Sequence, residues 1–172
     1  MLVLRLSLER TWKAVVVMCA CLFLAACTKP VSIRKPFEVS RAGEVVSAQF
    51  TVRRSGGYSF SLMFVKAPVF EDIKKQQIIW GGPYKDGIGI DMNIRIIRDG
   101  VLMLNQNVRT VGTSWGQGFY WGSRHINASA RVVHTLGLPP GDYVVEMRTL
   151  RETPEFRDIE TFAEFSYDDP KV

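Results

Sequence analysis

The segment Gly57 to Val65 constrains the fold more than any other stretch of this chain. Tyr58, Phe60, Leu62 and Phe64 alternate with Ser59 and Ser61, a period of two that fits a strand with one apolar face and does not fit a helix. Burying such side chains stabilises a fold by about 1.5–3 kcal/mol each, so this face is expected to be core. The same period returns along the chain. Val46, Ala48, Phe50 and Val52 mark a strand from Glu44 to Val52, and Ile90, Met92, Ile94 and Ile96 mark another. Ile126, Ala128, Ala130 and Val132 follow, then Tyr143, Val145 and Met147, and a last strand spans Thr161 to Tyr167. A short first strand is expected at Pro36-Phe37-Glu38-Val39-Ser40.

Turn chemistry separates these runs. Arg41-Ala42-Gly43, Arg53-Arg54-Ser55-Gly56-Gly57 and Leu138-Pro139-Pro140-Gly141-Asp142-Tyr143 each read as turns, and Asp99-Gly100 between alternating runs is a strong hairpin signal. Only Lys66 to Gly89 breaks the pattern. There Ile73, Gln76, Gln77 and Trp80 fall at helical spacing, which predicts a short helix over Glu71 to Ile79 ended by Gly81-Gly82-Pro83. Gly112 to Gly122 reads as a glycine-rich aromatic loop. About eight strands without a βαβ rhythm imply an all-β antiparallel sandwich, immunoglobulin-like or jelly-roll, with a small closed barrel as the competing architecture.

The start of the chain carries a different signal. Arg5, Arg10 and Lys13 precede an apolar run from Ala14 to Leu24, and Leu24-Ala25-Ala26-Cys27 closes it with small residues and a cysteine. This resembles a bacterial lipoprotein signal peptide, and the run is well short of the roughly 20 residues that span a bilayer. The resemblance implies removal of residues 1–26 and lipidation of Cys27, with two or more acyl chains giving stable anchoring. Thr28 after the cysteine resembles the pattern of outer-membrane sorting, so the expected location is the cell envelope, on the periplasmic face. Residues 27–35 are then a polar tether, and residues 36–168 a single sandwich domain whose size fits one core.

Charge and cysteine usage narrow the function. Cys19, Cys21 and Cys27 all lie in or at the end of the signal, so the domain has no thiol for catalysis or metal binding. Its basic residues are scattered among acidic ones without a run of five like charges, which excludes the footprint of a nucleic-acid binder. No cofactor motif occurs.

Several small patterns suggest chemistry and fail on context. Gly112-Thr113-Ser114-Trp115-Gly116 matches a nucleophile elbow, yet the α/β scaffold that exposes such a serine is missing. His125 and His134, an odd number of residues apart, fall on opposite faces of a regular strand and could not share a metal. Asp86, Asp91 and Asn93 read as a polar strand face rather than a calcium site. No catalytic or metal residue is assigned. The aromatic stretch remains: Trp115, Phe119, Tyr120 and Trp121, joined by Trp80 and Tyr84, either covers the end of the core or offers rings to a partner.

Lys35-Pro36-Phe37-Glu38-Val39-Ser40, the Gly-Tyr-Ser-Phe-Ser-Leu run at Gly57 to Leu62, and Leu138-Pro139-Pro140-Gly141-Asp142-Tyr143 together resemble a family of small Gram-negative lipoproteins, domain of unknown function 5625. The resemblance covers most of Pro36 to Tyr167 and implies a β-sandwich lipoprotein, with no activity and no catalytic residue attached. The expected function is therefore a non-enzymatic, membrane-tethered module that binds an envelope protein. A glycan or peptidoglycan binder and an immunity lipoprotein against a periplasmic toxin are the alternatives.

Overall fold

The computed structural model describes residues 30–168. The segment 1–26, the lipidation site Cys27 and the residues Asp169-Pro170 lie outside the described residues. Nine strands form two antiparallel sheets. One has five strands in the order β1-β9-β3-β7-β6, and the other has four in the order β2-β8-β4-β5. The strands are β1 (Ser32–Pro36), β2 (Val45–Val52), β3 (Gly56–Val65), β4 (Ile90–Arg98), β5 (Val101–Thr110), β6 (Trp115–Trp121), β7 (Arg124–Leu138), β8 (Gly141–Thr149) and β9 (Thr161–Asp168). One helix, α1 (Phe70–Trp80), bridges β3 and β4. Two separate sheets make this the expected sandwich and not a closed barrel.

The alternating residues do what their period requires. Phe60, Leu62 and Phe64 of β3 meet Val46 and Ala48 of β2, Met92, Ile94 and Ile96 of β4, and Val145 and Met147 of β8 in one core. Ring contacts continue it: Phe60 meets Phe165 edge-on at 6.1 Å, and Phe50 stacks on Tyr143 at 5.8 Å. The Asp99-Gly100 hairpin forms as expected, with both residues at positive φ (49° and 80°), the geometry a two-residue turn between twisted strands demands. Opposite it, Tyr143 Oη donates to the Pro139 carbonyl at 2.7 Å while Asp142 N donates to Asp99 Oδ1 at 2.9 Å. A Cβ on Gly141 would lie 2.7 Å from Arg98 Nε, so the Pro-Pro-Gly-Asp-Tyr turn needs glycine where the β4-β5 turn presses against it.

Four expectations change. The first strand is Ser32–Pro36 rather than Pro36–Ser40, pairing with β9 from Ser32↔Ser166 to Pro36↔Phe162. Ser32 to Lys35, the last four residues of the expected tether, are therefore part of a sheet, and strand pairing begins before residue 36. The glycine-rich stretch is not a loop: Trp115–Trp121 is a strand in register with β7, which raises the strand number to nine. β3 has two buried faces, because Ser59, Ser61 and Met63 are as enclosed as the aromatic face. Met63 belongs to a second apolar cluster on the outer side of the five-stranded sheet, with Phe119, Ile126, Ala128, Ala130 and Phe162.

The fourth change concerns the histidines. The β3-β7 register passes from Phe60↔His134 to Ser61↔Val132, so Val133 is an extra residue, a β-bulge. The bulge offsets the odd separation and puts His125 and His134 on the same side of the strand. They remain about eight strand residues apart, roughly 25 Å at ~3.3 Å each, far beyond a shared ligand.

Candidate functional site

Helix α1 ends at a tightly organised corner. Its first turn carries Glu71 and Asp72, which complement the positive end of the helix dipole. The Gln76 side chain clamps it to the end of β3, accepting from Ala67 N at 2.9 Å and donating to the Val65 carbonyl at 3.3 Å. Trp80 at the last position is 1% exposed and stacks on Phe64 at 5.9 Å with an interplanar angle of 9°. Past it, Gly82 and Lys85 exchange backbone hydrogen bonds of 2.8 and 3.2 Å, which pushes Pro83-Tyr84 outward as a tip.

The corner is held by a residue the sequence did not single out. Arg131 of β7 is fully buried, and among the described residues no carboxylate pairs with it. Its guanidinium donates instead to four carbonyls: Nε to Gly112 at 2.6 Å, Nη1 to Ile88 at 2.9 Å and Thr110 at 3.3 Å, and Nη2 to Trp80 at 2.6 Å. Phe64 and Phe156 lie against the cation at 5.0 and 5.6 Å. One planar fork thus ties the C-terminal end of α1, the approach to β4, the end of β5 and the approach to β6 to one point. Burial pushes its pKa down to about 10, which still leaves the group charged at neutral pH.

Between α1, the Gly81–Lys85 turn and the start of β6 lies an open cleft of about 670 Å³. Lys74, Gln77, Ile78, Tyr84, Lys85 and Trp115 line it. Its rim is apolar and accessible: Tyr84 is 99% exposed, Ile78 77% and Trp115 39%. Trp115 Nε1 donates to Gln117 Oε1 at 3.3 Å.

The six aromatic residues expected to act together are therefore divided. Trp80 belongs to the core and cannot be a platform. Phe119 is buried on the outer sheet face, edge-on to Phe162 at 5.4 Å and under the Arg34 guanidinium at 4.7 Å. Trp121 lies on the same side, edge-on to Phe162 at 5.2 Å, and Tyr120 on the other side packs against His125 at 5.1 Å. Of the solvent-exposed rings, Trp115 and Tyr84 line the cleft, whose wall also includes the buried Trp80. Near Phe119, Glu164 is 1% exposed and pairs with Arg34, and Gln117 Nε2 adds a bond to it at 3.3 Å.

The other patterns resolve into structure. Ser114 donates its backbone N–H to the Ala130 carbonyl at 2.8 Å and leads into a strand, so no strand-to-helix elbow exposes its hydroxyl. Asp91 pairs with Arg109 at 3.1 Å, and Asn93 Nδ2 donates to Asn105 and Asn107 at 2.9 and 2.8 Å, which makes a polar strand face. Among the described residues, no group of three or more metal-ligating side chains comes together. No described helix is long and apolar enough to cross a membrane.

Fold and corner define a class: an antiparallel β-sandwich, with nine strands among the described residues, whose helix α1 is locked against one end by a buried arginine. Within that class, the family of domain of unknown function DUF5625 matches residues 34–167, and the chain belongs to it. A crystal structure of a protein from Sulfurospirillum deleyianum is similar, with a TM-score of 0.64 at 19% identity, covering 83% of this chain and 99% of that one. That likeness shows the fold alone. No curated protein matches the sequence.

Proposed function

We propose that this chain is a periplasmic lipoprotein, anchored by lipid on Cys27 and probing its surroundings with the rim of the α1-β6 cleft, where it binds another envelope protein without catalysing a reaction. The anchor rests on Leu24-Ala25-Ala26-Cys27 and its basic and apolar approach. The binding role rests on one observation: Tyr84, Ile78 and Trp115, all solvent-exposed, surround a single cleft whose base is fixed by Arg131. Exposed rings and an aliphatic side chain on a rigid frame are what protein hot spots use, because little ordering entropy remains to be lost on binding.

In intact cells, crosslinking followed by affinity purification should recover one protein with the parent chain and lose it with an Ile78→Ser, Tyr84→Ala variant. Both side chains are too exposed to matter to the fold. Equal recovery with parent and variant removes the cleft from the interaction. Labelling with a palmitate analogue tests the anchor separately, since Cys27→Ser should abolish incorporation.

The flat rings of Trp115 and Tyr84 on an open cleft also support a second reading, a glycan or peptidoglycan fragment stacked between them. Sugar titration followed by tryptophan fluorescence should then show a saturable change lost in Trp115→Ala.

A further inference from the structure

Every open sheet must manage the unpaired backbone groups of its edge strands, and this sandwich has four such edges: β1, β6, β2 and β5. Three of them are guarded. β1 is short and carries Arg34, Lys35 and Pro36. β2 has Lys35 Nζ donating to its Ser47 carbonyl at 2.7 Å. β5 is interrupted by a bulge, where the register moves from Ile96↔Leu104 to Ile97↔Leu102. β6, by contrast, has no charge, no proline and no bulge from Trp115 to Trp121.

The direction of its free groups follows from the neighbouring ladder. Lys66 N donates to the Asn127 carbonyl at 2.8 Å, so Asn127 turns its backbone groups toward β3. Its neighbours Ile126 and Ala128 therefore turn theirs toward β6, where they face Phe119 and Gln117. What remains on β6 is Gly116, Gly118 and Tyr120, whose N–H and C=O groups point away from the sheet. Gly116 and Gly118 are exposed, and Tyr120 is 74% exposed.

The sequence of this edge is close to its own mirror. In Trp115-Gly116-Gln117-Gly118-Phe119-Tyr120-Trp121, a two-fold axis through Gly118 sets Trp115 opposite Trp121, Gly116 opposite Tyr120 and Gln117 opposite Phe119. That axis also brings the outward-pointing residues together, Gly118 with Gly118 and Gly116 with Tyr120, so each facing pair exchanges both backbone bonds. On one side of the joined strands each tyrosine ring would cover the glycine across from it, a pairing known to rescue glycine in sheets. On the other side the tryptophans meet at the closer, non-hydrogen-bonded positions.

From this unguarded and self-complementary edge we infer that the partner of β6 is a second copy of this chain, joined antiparallel through Gly118 to make one continuous sheet. The interface is isologous, as closed dimers require. It uses the strand edge, shares Trp115 with the cleft described above and leaves the Tyr84 and Ile78 rim open, so substitutions on that rim separate the two roles.

The register gives a direct test in the full-length protein. Trp115→Cys and Trp121→Cys chains carrying different tags are co-expressed and mildly oxidised. A disulfide-linked pair is expected from the mixture and not from either variant alone, because only positions 115 and 121 face each other across the axis. No mixed species, or an equal yield from Trp115→Cys alone, overturns the inference. Gly116→Pro gives an independent arm. It removes an N–H that points away from the sheet, which edge strands tolerate, and the one close neighbour of an added Cβ is the end of the long Lys66 side chain, Nζ at 3.2 Å. Light scattering should show the detergent-solubilised parent at twice the protein mass of this variant. A monomeric parent, or a Gly116→Pro protein that remains dimeric, overturns it as well. The Ile78→Ser, Tyr84→Ala chain should dimerise like the parent, so failure of the cleft hypothesis and failure of this one are separable.

Discussion

Two aromatic regions of this molecule, each containing a tryptophan, end in opposite states. Around Arg131, the rings of Phe64, Trp80 and Phe156 are closed into the core, and the cation at their centre spends its donors on four carbonyls. Along β6 and the Gly81–Lys85 turn, Trp115, Tyr120 and Tyr84 keep much of their surface in water. What separates them is backbone satisfaction. The first region gathers chain ends whose carbonyls need donors, and one guanidinium supplies them. The second has its ladder on one side only.

The contrast breaks most visibly at Arg131. Arg131→Met keeps the bulk but leaves buried carbonyls without donors, and should cost about 3–5 kcal/mol in urea unfolding. Arg131→Lys should recover little of this, since an ammonium cannot span the same fork. A loss under about 1 kcal/mol for Arg131→Met would mean that the corner closes without it. Next in size is Trp80→Ala, expected to cost about 3 kcal/mol or more through the cavity beside Phe64. Trp115→Ala, from the same sequence neighbourhood of glycines and rings, should change stability by less than about 1 kcal/mol, because its ring is not core. Equal costs for the two tryptophans would erase the distinction between the regions.

The smallest effect lies outside both and serves as a baseline. Burial alone would raise the Glu38 carboxyl, but the Ser40 N–H and hydroxyl, with Arg41 and Arg157, outweigh it and hold the group below its ordinary value. A depressed carboxyl stabilises the fold above its unfolded pKa and loses that contribution as pH falls through the folded value. Unfolding measured from neutral pH to below pH ~4 should therefore show a slightly steeper acid loss for the parent than for Glu38→Gln. Arg131 should add no slope near neutrality. With its folded value lowered to about 10, the fold releases that proton before the unfolded chain does, so its pH dependence is confined to the alkaline range above about 10.

The core strands were legible because burial on one face imposes a period of two, and β2, β4 and β8 kept it. β6 kept it as well, with Trp115, Gln117, Phe119 and Trp121 on one side and Gly116, Gly118 and Tyr120 on the other. Its glycines nevertheless read as loop, since glycine contributes no side chain to pack and weakens strand signals. β1 has the composition of a tether because the charges and proline that protect an edge strand are also those of a linker. Arg131 left no local trace at all. In sequence it is a polar residue between Ala130 and Val132, and its role is set by carbonyls as far away as Trp80. The bulge at Val133 was equally silent, since register depends on the partner strand.

The early start of β1 has a mechanical side. Only five residue steps separate Cys27 from Ser32, a covalent span of at most about 18 Å at ~3.6 Å per residue. With Cys27 acylated as proposed, the domain would be held on so short a leash that it could not rise far above the lipid headgroups. Its search for partners would then be a lateral one, confined to a layer about as thick as the protein itself.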